Sequence, residues 1–372
     1  MSSLKKFTAA FPGKYIQGEH AITELPGLIQ LLGKKGLIIA SPTVINKILP
    51  VYRLDESGVN VSTEVFGGEC CEKELKRLQE IVINGKVDIL IGMGGGKTID
   101  TAKIVADRTG IQVIIVPSIA STDAPCSGCA VIYSEEGVFE SVYYTKMNPQ
   151  VVLVDTYVIA NAPSRFLVAG MGDALATWFE ARSCAQTKSM NECGGLSTMT
   201  GLNLARLCYD TLLQYGSEAR RSCEKHIVSP ALDYITEANI LLSGIGFESS
   251  GLATAHSVHN GLSALDETHA YYHGEKVAFG LLTGLHLIAA VSEEMETVYS
   301  FCEAVGLPTT FSDIGIHEAN LEKLMEVAVK ACAPAEGIHH EIVHVTPSKV
   351  IDAMIAADAQ GRSRKNELRN IC

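Results

Sequence analysis

The sequence predicts an α/β N-terminal domain built on a mostly parallel sheet, followed by an all-helical C-terminal domain. Three observations carry this. Short apolar, β-rich runs alternate with helical patterns as far as about residue 160. Strand-like runs then cease, and long amphipathic segments with three- and four-residue spacing take over. The length of 372 residues suits about two domains. The boundary is placed near residue 162, giving 1–162 and 163–372.

Gly36-Leu-Ile-Ile-Ala40 reads as a buried strand and Val59 to Phe66 as another. Leu75, Leu78, Ile81 and Val82 give the stretch from Cys71 to Ile83 helical spacing. Val87-Asp-Ile-Leu-Ile91 is a strand running into Gly92-Met-Gly-Gly-Gly96, and Thr98 to Ala106 is a helix. The strand Val113 to Val116 follows, then a hairpin from Tyr133 to Lys146 hung on the sheet, and the strand Val151 to Asp155. This β–α–β alternation argues for parallel strands covered by helices on both faces. After Ala162-Pro163 come helical segments from Ala174 to Cys184, Gly201 to Tyr215, Ala231 to Ser243 and Lys276 to Ala290.

Composition excludes several classes. At 47% hydrophobic and 19% charged, the chain is not compositionally disordered. A net charge of −12, from 30 basic and 42 acidic residues, argues against a nucleic-acid partner. Met1 to Pro12 lacks the apolar run of a signal peptide, and Gly280 to Val291 is shorter than the ~20 residues that span a bilayer. Eleven cysteines without a scaffold spacing suit free thiols in a reducing cytoplasm. Cys126 and Cys129 form a lone CxxC, and Cys70-Cys71 is read as inert.

Gly94, Gly95, Gly96, Lys97 and Thr98 lie between a strand and a helix. Glycines there let backbone amides approach a phosphate at a helix N-terminus. A P-loop would need glycine at Ile91, and the dinucleotide fingerprint started at Gly92 would need glycine at Lys97. The segment is a third kind of pyrophosphate cradle or a tight turn. Four of the 11 histidines fall between His256 and His273. His256 and His259, three apart, share a helix face. Imidazole is the commonest metal ligand, and catalytic zinc takes three protein ligands with a fourth position open. The alternative is a set of satisfied core or surface histidines. Asp173, in Ala169-Gly-Met-Gly-Asp-Ala174, reads as the start of a helix, where it is either a ligand or an N-cap.

Across these segments the chain resembles the glycerol dehydrogenases within the metal-dependent, iron-containing alcohol dehydrogenase-like superfamily, whose architecture dehydroquinate synthase shares. The matching stretches are Pro12 to Gly18, Phe66-Gly-Gly-Glu69, Gly94 to Thr98, Ile119 to Cys126, Gly172 to Ala181, Gly246 to Ser249, Ala255 to Gly261 and Tyr271 to Phe279. The resemblance implies a dinucleotide-binding domain, a helical domain, and an active site in the cleft between them. It implies metal ligation by Asp173, His256 and His273, which also face the substrate, and a cofactor-phosphate loop at Gly94 to Thr98. Ser118, Ile119, Ala120 and Ser121 would line the nicotinamide, with Ser127, Cys129 and Tyr133 nearby. Asp123 would contact the polyol, and His259 would stand behind the metal or face the substrate, with His259 or a water chain through the cofactor ribose as the candidate proton acceptor. Iron-dependent relatives carry a further histidine where Thr177 stands here, which favours one Zn2+ per subunit. NAD is the expected cofactor, although Ser41 occupies the place where a carboxylate often meets the adenosine ribose.

The implied activity is reversible oxidation of glycerol to dihydroxyacetone, by zinc-assisted hydride transfer, in a cytoplasmic homo-oligomer of up to eight subunits. Other vicinal diols are open to such a pocket. Rival readings are a glycerol-1-phosphate dehydrogenase, a dehydroquinate synthase-like enzyme, and a silent nucleotide- or metal-binding scaffold. Lys276 is the one cation near the histidines in sequence and Asp123 would repel a phosphate, which disfavours the first two. Retention of the three ligand positions and the glycine loop argues against the third.

Overall fold

The computed structural model describes residues 6–54 and 58–371. Two compact units emerge. One consists of Ala10–Leu167 together with Arg221–Gly244. The other consists of Val168–Arg220, the chain from Ile245 onward, and the described N-terminal residues up to Ala9. The change of character near residue 162 is thus not a single cut, because the chain returns to the first unit for 24 residues.

In the first unit β1 (Tyr15–Gly18), α1 (Leu25–Leu32), β2 (Gly36–Ala40), α2 (Leu49–Tyr52), β3 (Val61–Val65), α3 (Glu72–Gly85), β4 (Ile89–Gly94), α4 (Gly96–Thr109) and β5 (Gln112–Pro117) follow in order. Then come β6 (Cys129–Tyr133), β7 (Phe139–Tyr144), β8 (Val151–Asp155) and α5 (Thr156–Ala160). Six of these strands form one sheet in the order β1-β8-β5-β4-β2-β3, and every pairing is parallel. Ile89, Ile91 and Met93 of β4 join Ile38, Ile114 and Leu153 in a core on one face of the sheet, sealed by Ile22, Leu25 and Ile29. Leu90 of the same strand is buried as well. Burial on both faces is why these strands read as unbroken apolar runs. The hairpin corrects one expectation, since β6 and β7 make their own antiparallel ribbon outside the main sheet. Its first strand also begins at Cys129 and not at Tyr133.

The sheet's connections reverse direction between β2 and β4. From β2 the chain moves outward to β3, returns to β4 and proceeds the other way to β5. Crevices at such reversals, outside the carboxyl ends of parallel strands, are where α/β sheets bind ligands. Gly95 and the start of α4 lie at this point.

The helical elements are α6 (Ser164–Thr187), α7 (Met199–Glu224), α8 (Pro230–Glu237), α9 (Ser243–Ser250), α10 (Thr254–Leu262), α11 (His273–Leu287), α12 (Ser292–Val305), α13 (Leu321–Ala331) and α14 (Pro347–Ile371). A wide helical turn over Ala238–Leu242 joins α8 to α9. Within the second unit α11 is central. Its residues from Gly274 to Leu285 are all buried, against α10 and α14 among others. Among the described residues no helix is long and apolar enough to cross a membrane.

Candidate functional site

The helical unit brings three predicted residues to one point. Asp173, His256 and His273 each offer a ligand atom within 4.8 Å of the others. The Nε2 atoms of His256 and His273 lie 3.3 and 3.1 Å from the same oxygen, Oδ1 of the fully buried Asp173. Asp173 does not start a helix, as its flanking glycines suggested. It sits in the second turn-pair of α6, so the N-cap alternative falls.

Those glycines have a tertiary cause. A Cβ on Gly172 would come within 2.3 Å of the Gly274 carbonyl oxygen, and one on Gly274 within 1.8 Å of the Ala169 carbonyl oxygen. Only a glycine pair lets α6 and the first turn of α11 approach this closely, and that approach sets His273 beside Asp173. Gly280, further along α11, admits the carbonyl of Ala255 in the same way and seats the first turn of α10, which carries His256.

Each histidine is also held from behind. His256 donates from Nδ1 to Oε2 of Glu180 at 2.6 Å. Glu180 was not among the residues singled out from the sequence, where it reads as an ordinary polar position of an amphipathic helix. His273 Nδ1 lies 3.1 Å from His259 Nε2. The direction of that bond follows from the next two partners. Asn260 donates from Nδ2 to both carboxylate oxygens of Glu336 at 3.1 Å, which turns its Oδ1 toward His259 Nδ1 at 3.0 Å. His259 Nδ1 is therefore a donor, its Nε2 an acceptor, and His273 Nδ1 carries the shared proton. Both rings thus turn Nε2 toward Asp173.

Burial opposes a charge on His256, yet the carboxylates of Glu180 and Asp173 outweigh it and hold its pKa well above the usual imidazole value. Burial likewise opposes ionisation of Asp173, but the neighbouring His273 and His256 hold its carboxyl well below the usual range. Burial, reinforced by His273 and Lys276, pushes His259 well below its ordinary value and keeps it neutral. One carboxylate oxygen and two imidazole nitrogens converging on one point, with both distal nitrogens already engaged, form a donor set that could hold a divalent cation. Thr177 is buried against Gly246 and is not part of that set.

The other predicted residues belong to the α/β unit. The start of α4 has no side-chain cap: Gly95 is its N-cap, in extended conformation. A side chain on Gly94 would strike Thr98 at 2.6 Å, which is the physical reason for glycine in this turn. The uncapped amides of a 14-residue helix at the sheet's reversal could receive a phosphate. Lys97 instead pairs with Glu69 at 2.5 Å and lies 5.0 Å from the ring centre of Tyr133. Ser118 donates its amide to the Gly94 carbonyl, so the loop after β5 is tied to the glycine turn. Ile119 packs toward Gly95, and the Ala120 carbonyl accepts from Asn239. Ser121 is half-buried beside them. Asp123 is buried and accepts from the Ser243 hydroxyl at 2.7 Å.

A second residue escaped the sequence. Lys103 of α4 is almost wholly buried, 3.1 Å from Asp100 Oδ1, and its ammonium donates to the carbonyls of Ala124, Ser127 and Cys129. It thereby fixes the loop that carries Ser127 and Cys129. The described cysteines are all free thiols, and burial pushes Cys70 up to about 12, in line with an inert role. At the end of β2, the Ser41 amide donates to the Met93 carbonyl and its hydroxyl accepts from Val44, so no carboxylate stands there.

Residues 12–156 match the family described as iron-containing alcohol dehydrogenase. The chain is 51% identical over 360 residues to a glycerol dehydrogenase of Thermotoga maritima, covering 96% of this chain and 99% of that protein. It is 46% identical to a glycerol dehydrogenase of Escherichia coli O6:H1, with 94% and 96% covered. Among solved structures, a probable glycerol dehydrogenase from Sinorhizobium meliloti 1021 superimposes with a TM-score of 0.90 at 44% identity, over 96% of this chain and 99% of that one.

Proposed function

The chain belongs to the glycerol dehydrogenases of the iron-containing alcohol dehydrogenase family, and from that premise we propose that it catalyses the reversible, NAD-dependent oxidation of glycerol to dihydroxyacetone. The observation that carries the chemistry is the convergence of Asp173, His256 and His273 on one point, with both imidazole Nε2 atoms facing it. We assign these three side chains to one zinc ion per subunit. When bound, the ion supplies Lewis-acid stabilisation of the negative charge that develops on the substrate's hydroxyl oxygen. Zinc is preferred over iron because the donor set has one carboxylate and two imidazoles, with Thr177 in place of a third nitrogen.

The remaining roles are carried by this chain's own groups. Asp123, buried and braced by Ser243, accepts from a second hydroxyl of the polyol and so orients it. His259, neutral and saturated by His273 and Asn260, orients His273 and is not the proton acceptor. Gly94, Gly95, Gly96 and Thr98 cradle the pyrophosphate of NAD at the start of α4, and Lys97 balances Glu69 beside it. The loop of Ser118, Ile119, Ala120 and Ser121, with Ser127, Cys129 and Tyr133, receives the nicotinamide half. Ser41 leaves the adenosine ribose without a carboxylate partner, so NADP is disfavoured less strongly than in a chain with Asp there. The working form is a cytoplasmic homo-oligomer.

The test is glycerol-dependent NADH formation before and after exhaustive dialysis against a chelator, with the metal content measured in parallel. Activity is expected to fall with the metal and to return with Zn2+. Undiminished turnover in metal-depleted protein overturns the assignment. Glycerol 1-phosphate, assayed alongside, is expected to give no turnover.

A further inference from the structure

Glu180 lies seven residues after Asp173 on α6, two turns along the same face of the helix. It is 2% exposed. Its two oxygens have separate tasks. Oε1 accepts the backbone amides of Ala253 and His256 at 2.8 and 3.1 Å, at the start of α10, where Ala253 has no side chain to cap the helix. Oε2 accepts from His256 Nδ1 at 2.6 Å, while Asp173 Oδ1 stands 3.3 Å from Nε2 of the same ring. One helix therefore grips both nitrogens of one imidazole with two carboxylates.

We propose that Glu180 is a positioning residue of the metal centre, which fixes His256 with its proton on Nδ1 and its Nε2 lone pair toward Asp173 and His273. An ionised carboxylate is an acceptor only, so it cannot pair with the opposite tautomer. A glutamine in its place could turn its amide nitrogen to Nδ1, which would leave the proton on Nε2 and block ligation. Glu180 also supplies charge. A dication held by Asp173 alone leaves one uncompensated positive charge in a buried site, and a second carboxylate behind His256 cancels it. This rests on the zinc assignment made above, and the experiment separates the two.

Zn2+ affinity of the full chain is measured by competition with a chromogenic chelator, alongside the Co2+ absorption spectrum, for the unchanged protein, Glu180→Gln, Glu180→Asp and Glu341→Gln. Glu341 is a neighbouring carboxylate bound to Ser183 and Thr254 that makes no bond to His256. Glu180→Gln is expected to bind Zn2+ about 10–100-fold more weakly and to shift the Co2+ spectrum, the usual consequence of losing a carboxylate behind a ligating histidine. Glu180→Asp, which keeps the charge but withdraws it by one methylene, should lie between, and serves if the glutamine variant does not fold. Glu341→Gln should alter the melting temperature and leave Zn2+ affinity as it is. Equal affinity and an unchanged spectrum in Glu180→Gln, or equal affinity in Glu180→Asp if only that variant folds, overturn the positioning role while the zinc assignment stands. If the unchanged chain holds no Zn2+, both fall.

Discussion

Replacing Gly274 by alanine tests how the metal centre is assembled. In an ordinary helix this change gains up to about 1 kcal/mol, because alanine loses less backbone entropy. At Gly274 the added methyl would lie 1.8 Å from the Ala169 carbonyl oxygen. Restoring ordinary contact near 3.4 Å demands that α6 and α11 part by about 1.6 Å. Overpacking against rigid backbone costs about 1–3 kcal/mol, which outweighs the helix gain. The same displacement would carry His273 Nε2 from its present 3.1 Å to nearly 5 Å from Asp173 Oδ1. Zinc ligands sit about 2.0–2.2 Å from the ion, so two donors are at most about 4.4 Å apart. Gly274→Ala should therefore lose both stability and metal affinity, read by urea unfolding and by chelator competition. Gly27→Ala, in α1 with open space around its Cβ, is the matched control and should be neutral or slightly stabilising. A Gly274→Ala protein as stable and as tightly metallated as the unchanged chain would refute the close-crossing explanation.

Asp123→Asn should lower kcat/KM for glycerol by about 10–100-fold, the worth of a charged hydrogen bond to substrate, with zinc content unchanged by elemental analysis. Lys103→Met should destabilise the chain by about 3–5 kcal/mol in urea titration, since it removes the ion partner of the buried Asp100 and the ammonium donor shared by the carbonyls of Ala124, Ser127 and Cys129. Asp313→Asn gives a pH-dependent result. Burial would raise the Asp313 pKa, but Lys365 and the amide of Thr309 prevail and hold its carboxyl below the usual range. A depressed carboxyl contributes stability above its unfolded pKa and loses it as the pH falls through the folded value. The melting-temperature gap between Asp313→Asn and the unchanged chain should be full at neutral pH and close as the pH drops below about 4.

The parallel strands were legible because burial on both faces writes them as continuous apolar runs, as in β2, β4, β5 and β8. The edge strand β1 was not, because four half-buried residues carry no period. The three convergent side chains were visible as a histidine cluster plus an acidic position in a glycine-flanked setting. What misled was the cause of those glycines. Local propensity treats Gly170 and Gly172 as helix breakers, whereas α6 runs through both, and Gly274, far along the chain, dictates the one at 172. Glu180 and Lys103 were illegible for a related reason. Their burial depends on which carbonyls, amides and rings tertiary folding brings to them, and nothing in their neighbours' periodicity reports it.

The excursion of Arg221–Gly244 into the α/β unit has a practical consequence for protein engineering. Within that unit Gln17 donates to the carbonyl of Asp233, and Asn239 to those of Ala120 and Leu167. A fragment ending at Leu167 would forfeit these partners and bare the surfaces that Ala231, Leu232 and Ile235 cover. Exchanging the nucleotide half with that of a relative thus calls for four splice junctions, at 9/10, 167/168, 220/221 and 244/245. Chimaeras joined at one crossover should be recovered as aggregates, and those that carry the returning helices along should be recovered as folded hybrids.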